Sequence, residues 1–351
     1  MREFGSEFEI SYRPDSYFKS IVGKLPFSAF TRSGREAIGL AILGMKPGVA
    51  LLPAYCCWSM VLPFESAGWQ VVYYPLNTGL RIDCDALLAL IEDLSPSAVL
   101  VMDYFGFTPT ADAVRVIRKA SNEILIIEDF TQCLLSLDKK WNADVDCYVA
   151  SIRKSIGVPD GGMVLSRKPL MISKLSNERT LFVEHHIQAG VRKKWYSYSA
   201  NSEEKQLFRE LQAAASDEIK KDYHLYKISM ESMAIIENTD VETVRFARRK
   251  NYEHLYELLR GNQQFSILFA PEGNEAPFMF VINSQRRDEL QKTYAQKGVY
   301  CQVIWPLSDE AKKMCQVSKE MENTMLAIPI DQRYSYDDIE EIGKRINSVK
   351  L

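Results

Sequence analysis

Two stretches of sequence, AVLVMDY at residues 98–104 and ILIIEDF at residues 124–130, decide the fold. Each is a nearly continuous apolar run, and residues 110–120 between them have the spacing of an amphipathic helix. Buried strands that alternate with helices are typical of a parallel sheet that is covered on both faces. The two stretches therefore predict an α/β fold with a mostly parallel central sheet and helices on both faces.

The sequence on either side extends this pattern from about residue 30 to residue 166. We expect helices at residues 34–43 and 85–94, and strands at residues 71–74, 147–150 and 163–166. No internal repeat interrupts the run, so a single large α/β domain accounts for it.

Beyond residue 166 the composition changes. Residues 167–222 are richer in charged and aromatic side chains and are predicted to be helical and surface-facing, and residues 224–259 form one long helical pattern. That helix carries the cluster Arg248-Arg249-Lys250, which we interpret as a solvated helix face. The remaining strands are expected at residues 278–282 and 300–304, and the remaining helices at residues 286–297 and 336–346. We therefore expect a large domain over residues 1–240 and a small C-terminal α+β domain over residues 241–351.

The charge balance argues against several classes of protein. The 351 residues include 43 Lys and Arg and 46 Asp and Glu, a net charge of -3, so there is no basic excess for binding nucleic acid or acidic membranes. Residues 1–11 are acidic where a secretory signal would be basic and then apolar, and no run matches a membrane span. The seven scattered cysteines form no disulfide framework or zinc motif. We expect a cytoplasmic protein that binds no metal.

The first candidate site residue is Asp129, at the carboxyl end of the strand predicted over residues 124–130. Ligand crevices of open α/β sheets lie beyond such strand ends. A carboxylate fixed there can pair with a protonated ring nitrogen, and the pair is stronger in a water-poor crevice than in bulk water. The alternative is a helix-capping aspartate that is followed by Gln132 on the surface.

The second candidate is Lys154, between the strand at residues 147–150 and the turn Asp160-Gly161-Gly162. A lysine placed just past a strand end in apolar surroundings can act as an amine nucleophile. Ser151, three residues earlier, could present its hydroxyl to a bound phosphate. The alternative is a solvated lysine beside a β-turn.

Two further segments could complete a ligand site. Ser33, Gly34 and Arg35 stand at a predicted helix N-terminus, where free backbone N–H groups bind anions, although Ser33 with a glutamate three residues later also matches a capping box. Trp58, after an earlier strand, could stack on a planar ring or pack in the core. An amine, a carboxylate, an anion cradle and a flat partner are what pyridoxal phosphate (PLP) requires of a protein.

These residues also resemble the DegT/DnrJ/EryC1/StrS family of sugar aminotransferases, which are fold-type-I PLP-dependent transferases, and the resemblance covers most of the chain. Residues 127–132 (IEDFTQ) resemble the family's Ile-Glu-Asp-Ala-Ala-Gln, and residues 151–162 are similar to its lysine segment ending in Gly-Asp-Gly-Gly. Residues 33–38 (SGREAI) resemble its phosphate loop, residues 103–106 (DYFG) its His-x-Tyr-Gly turn and residues 327–330 (AIPI) its Ser-Leu-Pro motif.

The resemblance implies a role for each residue. Lys154 would form a Schiff base with PLP and later move a proton, Asp129 would hold the pyridinium proton, and Gln132 would contact the ring's 3-oxygen. The phosphate would be held by Ser33, Gly34, Arg35 and Ser151. The stacking position falls on Cys57, with Trp58 as the alternative. A homodimer is implied, with transfer of an amino group from an amino-acid donor, expected to be glutamate, to a keto-sugar that could be nucleotide-linked.

Two departures from the family pattern leave the substrate open. Residues 303–308 (VIWPLS) replace a His-Tyr-Pro…His stretch, and residues 226–229 (YKIS) replace Asn-x-Arg-Met. The alternatives are a PLP enzyme that acts on another small carbonyl or amino-acid substrate, or a non-catalytic binding module. A dinucleotide-binding dehydrogenase is disfavoured because no Gly-x-Gly-x-x-Gly follows an early strand. His185 and His186 are expected to face solvent.

Overall fold

The computed structural model describes residues 17–221, 223–272 and 276–351, so the expectations for residues 1–11 lie outside the described residues. The strands in these ranges are β1 (Phe27–Thr31), β2 (Val49–Pro53), β3 (Gln70–Tyr74), β4 (Leu76–Asn77), β5 (Arg81–Ile82), β6 (Ala98–Met102), β7 (Leu125–Asp129), β8 (Cys147–Ser151), β9 (Gly162–Ser166), β10 (Ser266–Ile267), β11 (Phe280–Asn283) and β12 (Met325–Ile328).

The helices in the same ranges are α1 (Tyr17–Val22), α2 (Gly34–Ile42), α3 (Trp58–Ser66), α4 (Cys84–Leu94), α5 (Ala111–Ala120), α6 (Leu181–Ser199), α7 (Ser202–Lys221), α8 (Met230–Glu237), α9 (Val241–Leu259), α10 (Arg287–Gln296), α11 (Asp309–Met314), α12 (Gln316–Thr324) and α13 (Tyr336–Asn347). In the described part of the chain, no helix has the length and apolar character that crossing a membrane requires.

Seven strands form the central sheet in the order β1-β9-β8-β7-β6-β2-β3. Strand β9 runs antiparallel to both of its neighbours, and the other strands are parallel to one another. Every residue of β6, β7, β8 and β9 is buried. Because alternate side chains of a strand point to opposite faces, both faces of these strands are covered. The predicted α/β fold with a mostly parallel sheet is confirmed.

The long helix predicted over residues 224–259 is wrong, because two capping residues interrupt its apolar pattern. The carboxylate of Asp240 accepts from the Thr243 N–H at 3.0 Å and begins α9, and the Ser229 hydroxyl caps α8 by accepting from the Ser232 N–H at 3.2 Å. Side chains of this kind satisfy N–H groups that a helix start leaves without a partner. The segment before Ser229 is extended, and its Lys227 bridges to Thr31 of the central sheet.

Two more expectations for the C-terminal half need correction. The strand predicted at residues 300–304 is only an isolated bridge, between Gln302 and Ala327. The basic cluster on α9 is not a uniformly solvated face, because Arg248 is only 1% exposed. Its guanidinium donates to the carbonyl oxygen of Phe278 at 2.9 Å, so hydrogen bonds replace the water that the sequence pattern suggested.

The C-terminal residues have a second sheet and a core of their own. Strands β10, β11 and β12 form a three-stranded antiparallel sheet, in that order. Side chains of α9 and α13, including Leu255 and Ile342, pack with β11 and β12 in one apolar cluster. On this support we retain, as a proposal, the division into residues 1–240 and 241–351.

Candidate active site

The ends of four strands meet at one edge of the central sheet. Asp129 ends β7 and Ser151 ends β8, while Gly162 begins the antiparallel β9 and pairs with both Ser151 and Thr31, the last residue of β1. Since β7 and β8 are neighbours in the sheet, this geometry collects residues that are far apart in the sequence at a single edge. It is the edge at which ligands bind in α/β sheets.

Two cavities open at this edge. The smaller, of about 220 Å³, is lined by most of the predicted site residues, namely Ser33, Gly34, Arg35, Asp129, Ser151 and Lys154. The larger, of about 400 Å³, is lined by Gln132 and Trp305 among others. Lys154 lines both cavities, as do Arg153 and Gln212. The lysine therefore stands where the two cavities meet.

The loop between β1 and α2, which carries Ser33 and is called the Ser33 loop, lies very close to the last residue of β8 and the first residue of β9. Glycines make this close approach possible. A Cβ added at Gly34 would lie 3.0 Å from the Cβ of Ser151, and one at Gly162 would overlap the Ser33 carbonyl group. The Glu36 carboxylate accepts from the Ser33 N–H at 2.9 Å. Ser33 and Glu36 adopt the capping-box arrangement, but the Ser33 hydroxyl oxygen is buried and makes no hydrogen bond of normal geometry to any residue that the structure describes. A buried polar atom without a partner is costly, so this oxygen is suited to a ligand.

We expect the substitution Gly162→Ala to weaken this loop. The new methyl group would displace Ser33, lowering the free energy of unfolding by about 1–3 kcal/mol, the usual cost of overpacking, and weakening PLP binding about tenfold. Urea unfolding and a PLP titration measure the two effects. The control is Gly261→Ala, where an added Cβ meets no atom within 4 Å. Equal behaviour of the two variants would contradict the close packing described here.

Asp129 is held at the end of the central strand with its carboxylate oriented. The Thr131 N–H donates to its Oδ1 at 2.9 Å, and Thr131 is itself tied to β8, because its hydroxyl accepts from the Ser151 N–H at 2.9 Å. Burial raises the pKa of Asp129, although the Thr131 hydrogen bonds and the positive charge of Lys154 lower it. A cation bound beside this carboxylate would compensate the cost of burying its charge.

The neighbouring Glu128 is a buried acid that forms no ion pair with any residue the structure describes. One carboxylate oxygen accepts from the Thr110 hydroxyl at 2.7 Å, and the other has no partner among the described residues. Burial raises its pKa from 4.5 to about 7. A folded-state pKa above the unfolded one means that the folded protein binds the proton more tightly, so stability is lost as the pH rises from 4.5 to 7.

The substitution Glu128→Gln is therefore expected to stabilise the protein at alkaline pH and to leave it unchanged at low pH. The gain in unfolding free energy should grow through this window and reach about 3 kcal/mol by pH 8. Urea unfolding at a series of pH values measures it, with the exposed Glu123→Gln as the control. A difference between wild type and Glu128→Gln that does not change with pH would refute the assignment.

Lys154 ends a short 3₁₀ turn, Ile152–Lys154, directly after β8. The Ile152 N–H donates to the Gly161 carbonyl oxygen at 2.9 Å, which fixes the start of the turn. The Lys154 Nζ lies 5.7 Å from the centre of the Trp305 ring. Gln132 is anchored close by, since its Oε1 accepts from the Phe105 N–H at 2.6 Å.

The two candidates for ring stacking lie outside both cavities. Trp58 is 50% exposed and its ring lies under the Arg35 guanidinium, 5.7 Å away, while the thiol of Cys57 contacts the Ser59 hydroxyl. Among the described residues, Ser59 and Met60 line the smaller cavity in this region, and Cys57 and Trp58 do not. The stacking role stays a prediction, and the position of Trp58 speaks against that residue.

Several residues that line the cavities were not predicted from the sequence. His186 of α6 lines the smaller cavity, so the expectation that it faces solvent is wrong. Gln212 of α7 lines both cavities, and Arg248 and Arg333 line the larger one. The one available signal was the composition of residues 167–222, whose two long helices supply part of the cavity wall.

The chain matches a family model over nearly its whole length. Residues 18–347 match the model of the DegT/DnrJ/EryC1/StrS aminotransferase family. No curated protein matches the chain in sequence.

Solved structures with the same fold have little sequence in common with this chain. The sugar aminotransferase CalS13 from Micromonospora echinospora is 15% identical with a TM-score of 0.64, over 95% of this chain and 90% of that one. Helicobacter pylori PseC, an aminotransferase of pseudoaminic acid biosynthesis, is 12% identical with a TM-score of 0.64, over 97% and 98%. The putative sugar aminotransferase Spr1654 from Streptococcus pneumoniae in its PLP form is 11% identical with a TM-score of 0.66, over 97% and 91%.

Proposed function

Because the chain belongs to the DegT/DnrJ/EryC1/StrS aminotransferase family, whose members depend on PLP, we propose that it moves an amino group from glutamate to a keto-sugar and that Lys154 and Asp129 carry the chemistry. The observation behind this proposal is that Lys154, Asp129 and residues 33–35 line one cavity. PLP, when bound, supplies an electron sink that stabilises negative charge on the substrate carbon.

The residues of the smaller cavity fit PLP at both of its ends. The unpartnered Ser33 hydroxyl oxygen, the Ser151 side chain and the cationic side chain of Arg35 suit a phosphate group. At the other end, the buried Asp129 carboxylate suits the protonated ring nitrogen, because each charge compensates the burial of the other. Gln132, in the larger cavity next to Lys154, is the residue that we assign to the ring's 3-oxygen.

In this proposal each side chain has a limited task. The Lys154 amine would hold PLP covalently and would then carry the proton between the substrate carbon and the cofactor's C4′. The Asp129 carboxylate keeps the ring nitrogen protonated, and the Thr131 N–H keeps that carboxylate in place. The Ser33 loop and Ser151 hold the phosphate, so that the cofactor cannot drift between steps.

The lining of the larger cavity supports a sugar as the acceptor. Besides Gln132, two amide side chains, Gln212 and Gln302, line it and can hydrogen-bond to hydroxyl groups. The Trp305 ring offers an apolar face, on which the C–H face of a pyranose can pack. The keto-sugar could carry a nucleotide, since this cavity also includes the cationic side chains of Arg153 and Arg333.

We also propose that the enzyme is a cytoplasmic homodimer. Enzymes of this fold commonly assemble their sites at a two-fold interface. Two large aromatic side chains on α6, Trp195 and Tyr198, are 63% and 78% exposed, and exposed apolar groups of this size are typical of interaction surfaces. The scattered cysteines, without a disulfide framework, are typical of a reducing compartment.

The function is tested by half-reactions of the PLP-loaded enzyme. Added glutamate should remove the visible absorbance of the lysine-bound cofactor and release 2-oxoglutarate in equal amount. Keto-sugars, free or nucleotide-linked, should then restore the absorbance, and the best acceptor identifies the substrate. Release of free ammonia together with the oxo acid, with the lysine-bound absorbance regained before any keto-sugar is added, would instead indicate a lyase or dehydratase, and an absence of turnover with every amino donor would refute the proposal.

A further inference from the structure

The peptide group between Ser155 and Ile156, one residue beyond the one that follows Lys154, is held by two side chains from distant parts of the chain. The Arg248 Nη2 donates to the carbonyl oxygen of Ser155 at 3.3 Å, and the Gln332 Nε2 donates to the same oxygen at 3.0 Å. Arg248 lies on α9, and Gln332 lies in the loop between β12 and α13. We call Arg248 and Gln332 the Ser155 clamp.

Arg248 is built into the protein interior. It is 1% exposed, and its Nε donates to the Gln332 Oε1 at 3.0 Å. Its Nη1 donates to the carbonyl oxygens of Phe278 at 2.9 Å and Pro277 at 3.3 Å. Burial lowers the pKa of Arg248 to about 10, so the side chain remains charged at neutral pH. A buried guanidinium with this many acceptors has one orientation, which makes it a rigid support.

The charge of Arg248 is balanced beside the clamp. Asp331 is buried next to Gln332, and its carboxylate receives two hydrogen bonds from the Arg333 guanidinium, both at 2.7 Å. Burial raises the pKa of Asp331, but the charges of Arg333 and Arg248 together with the hydrogen bonds from Arg333 lower it by more than burial raises it. The pKa of Asp331 is therefore below its usual value. The cluster is therefore an ionised network that fixes the loop carrying Gln332.

We propose that Arg248 and Gln332 are positioning residues for Lys154, an inference that rests on the proposed function of that lysine. The turn that carries Lys154 is fixed at its first residue, because the Ile152 N–H donates to the Gly161 carbonyl oxygen. It is fixed again just after Lys154, where the Ser155 clamp holds the Ser155 carbonyl oxygen. With the backbone fixed on both sides, only the side-chain torsions of Lys154 remain free. Its amine is thereby confined to the meeting point of the two cavities.

The substitutions Gln332→Glu and Arg248→Lys test the clamp. Gln332→Glu keeps an oxygen for the Arg248 Nε but loses the donor to Ser155, and Arg248→Lys keeps the charge but loses the planar fork. The matched control is Arg245→Lys, which changes a buried arginine of the same helix that donates to the Leu135 carbonyl and to Asp138 instead.

The first measurement is acetylation of Lys154 relative to the exposed Lys168 in the cofactor-free protein, read by mass spectrometry across a pH series. Release of the turn should raise the relative labelling of Lys154 at least about threefold. The second measurement is PLP affinity, which should fall about three- to tenfold in both variants, together with a shift in the pH midpoint of the bound cofactor's absorbance. The control should stay within about twofold of wild type.

The clamp is refuted if both variants match Arg245→Lys in labelling, affinity and pH midpoint. If Arg248→Lys does not fold, the half-buried Gln332 decides the matter, since Gln332→Met removes the donor to Ser155 without the negative charge that Gln332→Glu adds beside Asp331. Failure of the proposed function looks different, because wild type itself would then show no lysine-dependent absorbance with PLP. The labelling of the cofactor-free protein would still report on the clamp.

Discussion

The variant Lys154→Ala should lose at least about a thousandfold in transamination rate, because in the proposed mechanism both the covalent attachment of the cofactor and the proton transfer depend on this amine. It should also lack the visible absorbance that PLP acquires on a lysine. Turnover is followed as 2-oxoglutarate released from glutamate, and absorbance by titration with PLP.

Two controls show whether the loss is due to the Lys154 amine itself. One keeps the positive charge at position 154, and the other removes a different lysine. Lys154→Arg keeps the positive charge between the two cavities and should be as inactive as Lys154→Ala, since a guanidinium is not a nucleophile at neutral pH. Lys168→Ala, which removes an exposed lysine just after β9, should behave as wild type. Full transamination by Lys154→Ala would contradict the proposal that Lys154 binds PLP and transfers the proton.

The variant Asp129→Asn should retain the cofactor but lose at least about a hundredfold in turnover. The asparagine keeps an oxygen that can accept from the Thr131 N–H, so the site should remain folded. It removes the buried negative charge that we propose holds the ring nitrogen protonated, and a lost charge partner in a dry site is costly. The visible absorbance with PLP should persist, while the rate of its loss on adding glutamate should fall.

Glu128→Gln provides the matched control for Asp129→Asn. Both substitutions replace a buried carboxylate of β7 with an amide, at adjacent positions whose side chains point to opposite faces of the strand. Glu128→Gln should alter the pH dependence of stability and leave turnover near the wild-type level. Equal losses of turnover in the two variants would mean that Asp129 acts only through the stability of the strand.

The central sheet could be predicted because its signal is local. Strands β6 and β7 are buried on both faces and read as continuous apolar runs, and their neighbours along the chain have helical spacing. The convergence of Asp129 and Lys154 was also predictable, because β7 and β8 are neighbouring parallel strands whose carboxyl ends meet at one edge. Ser33 reaches the same edge from β1, which lies beyond the antiparallel β9, and that strand order became visible only in the structure.

The features that were missed depend on contacts between distant residues. In sequence, Arg248 is one of three consecutive basic residues, and only its carbonyl partners around residues 155 and 278 show that it is internal. His186 belongs to a polar helix, and nothing local indicates that this helix lines a cavity. The break between α8 and α9 did have a local signal, the capping residue Asp240, but the apolar spacing on either side of it concealed the break.

The strand order has a consequence for how the chain matures during synthesis. Strand β1 is made early, yet its partner among the described strands is β9, which is completed only at Ser166. The lining of the larger cavity is complete only after Arg333 has been synthesised. We therefore expect a ribosome-bound chain to close its main sheet well before the acceptor cavity is complete, and the long interval between the two events is one in which chaperones could act on it.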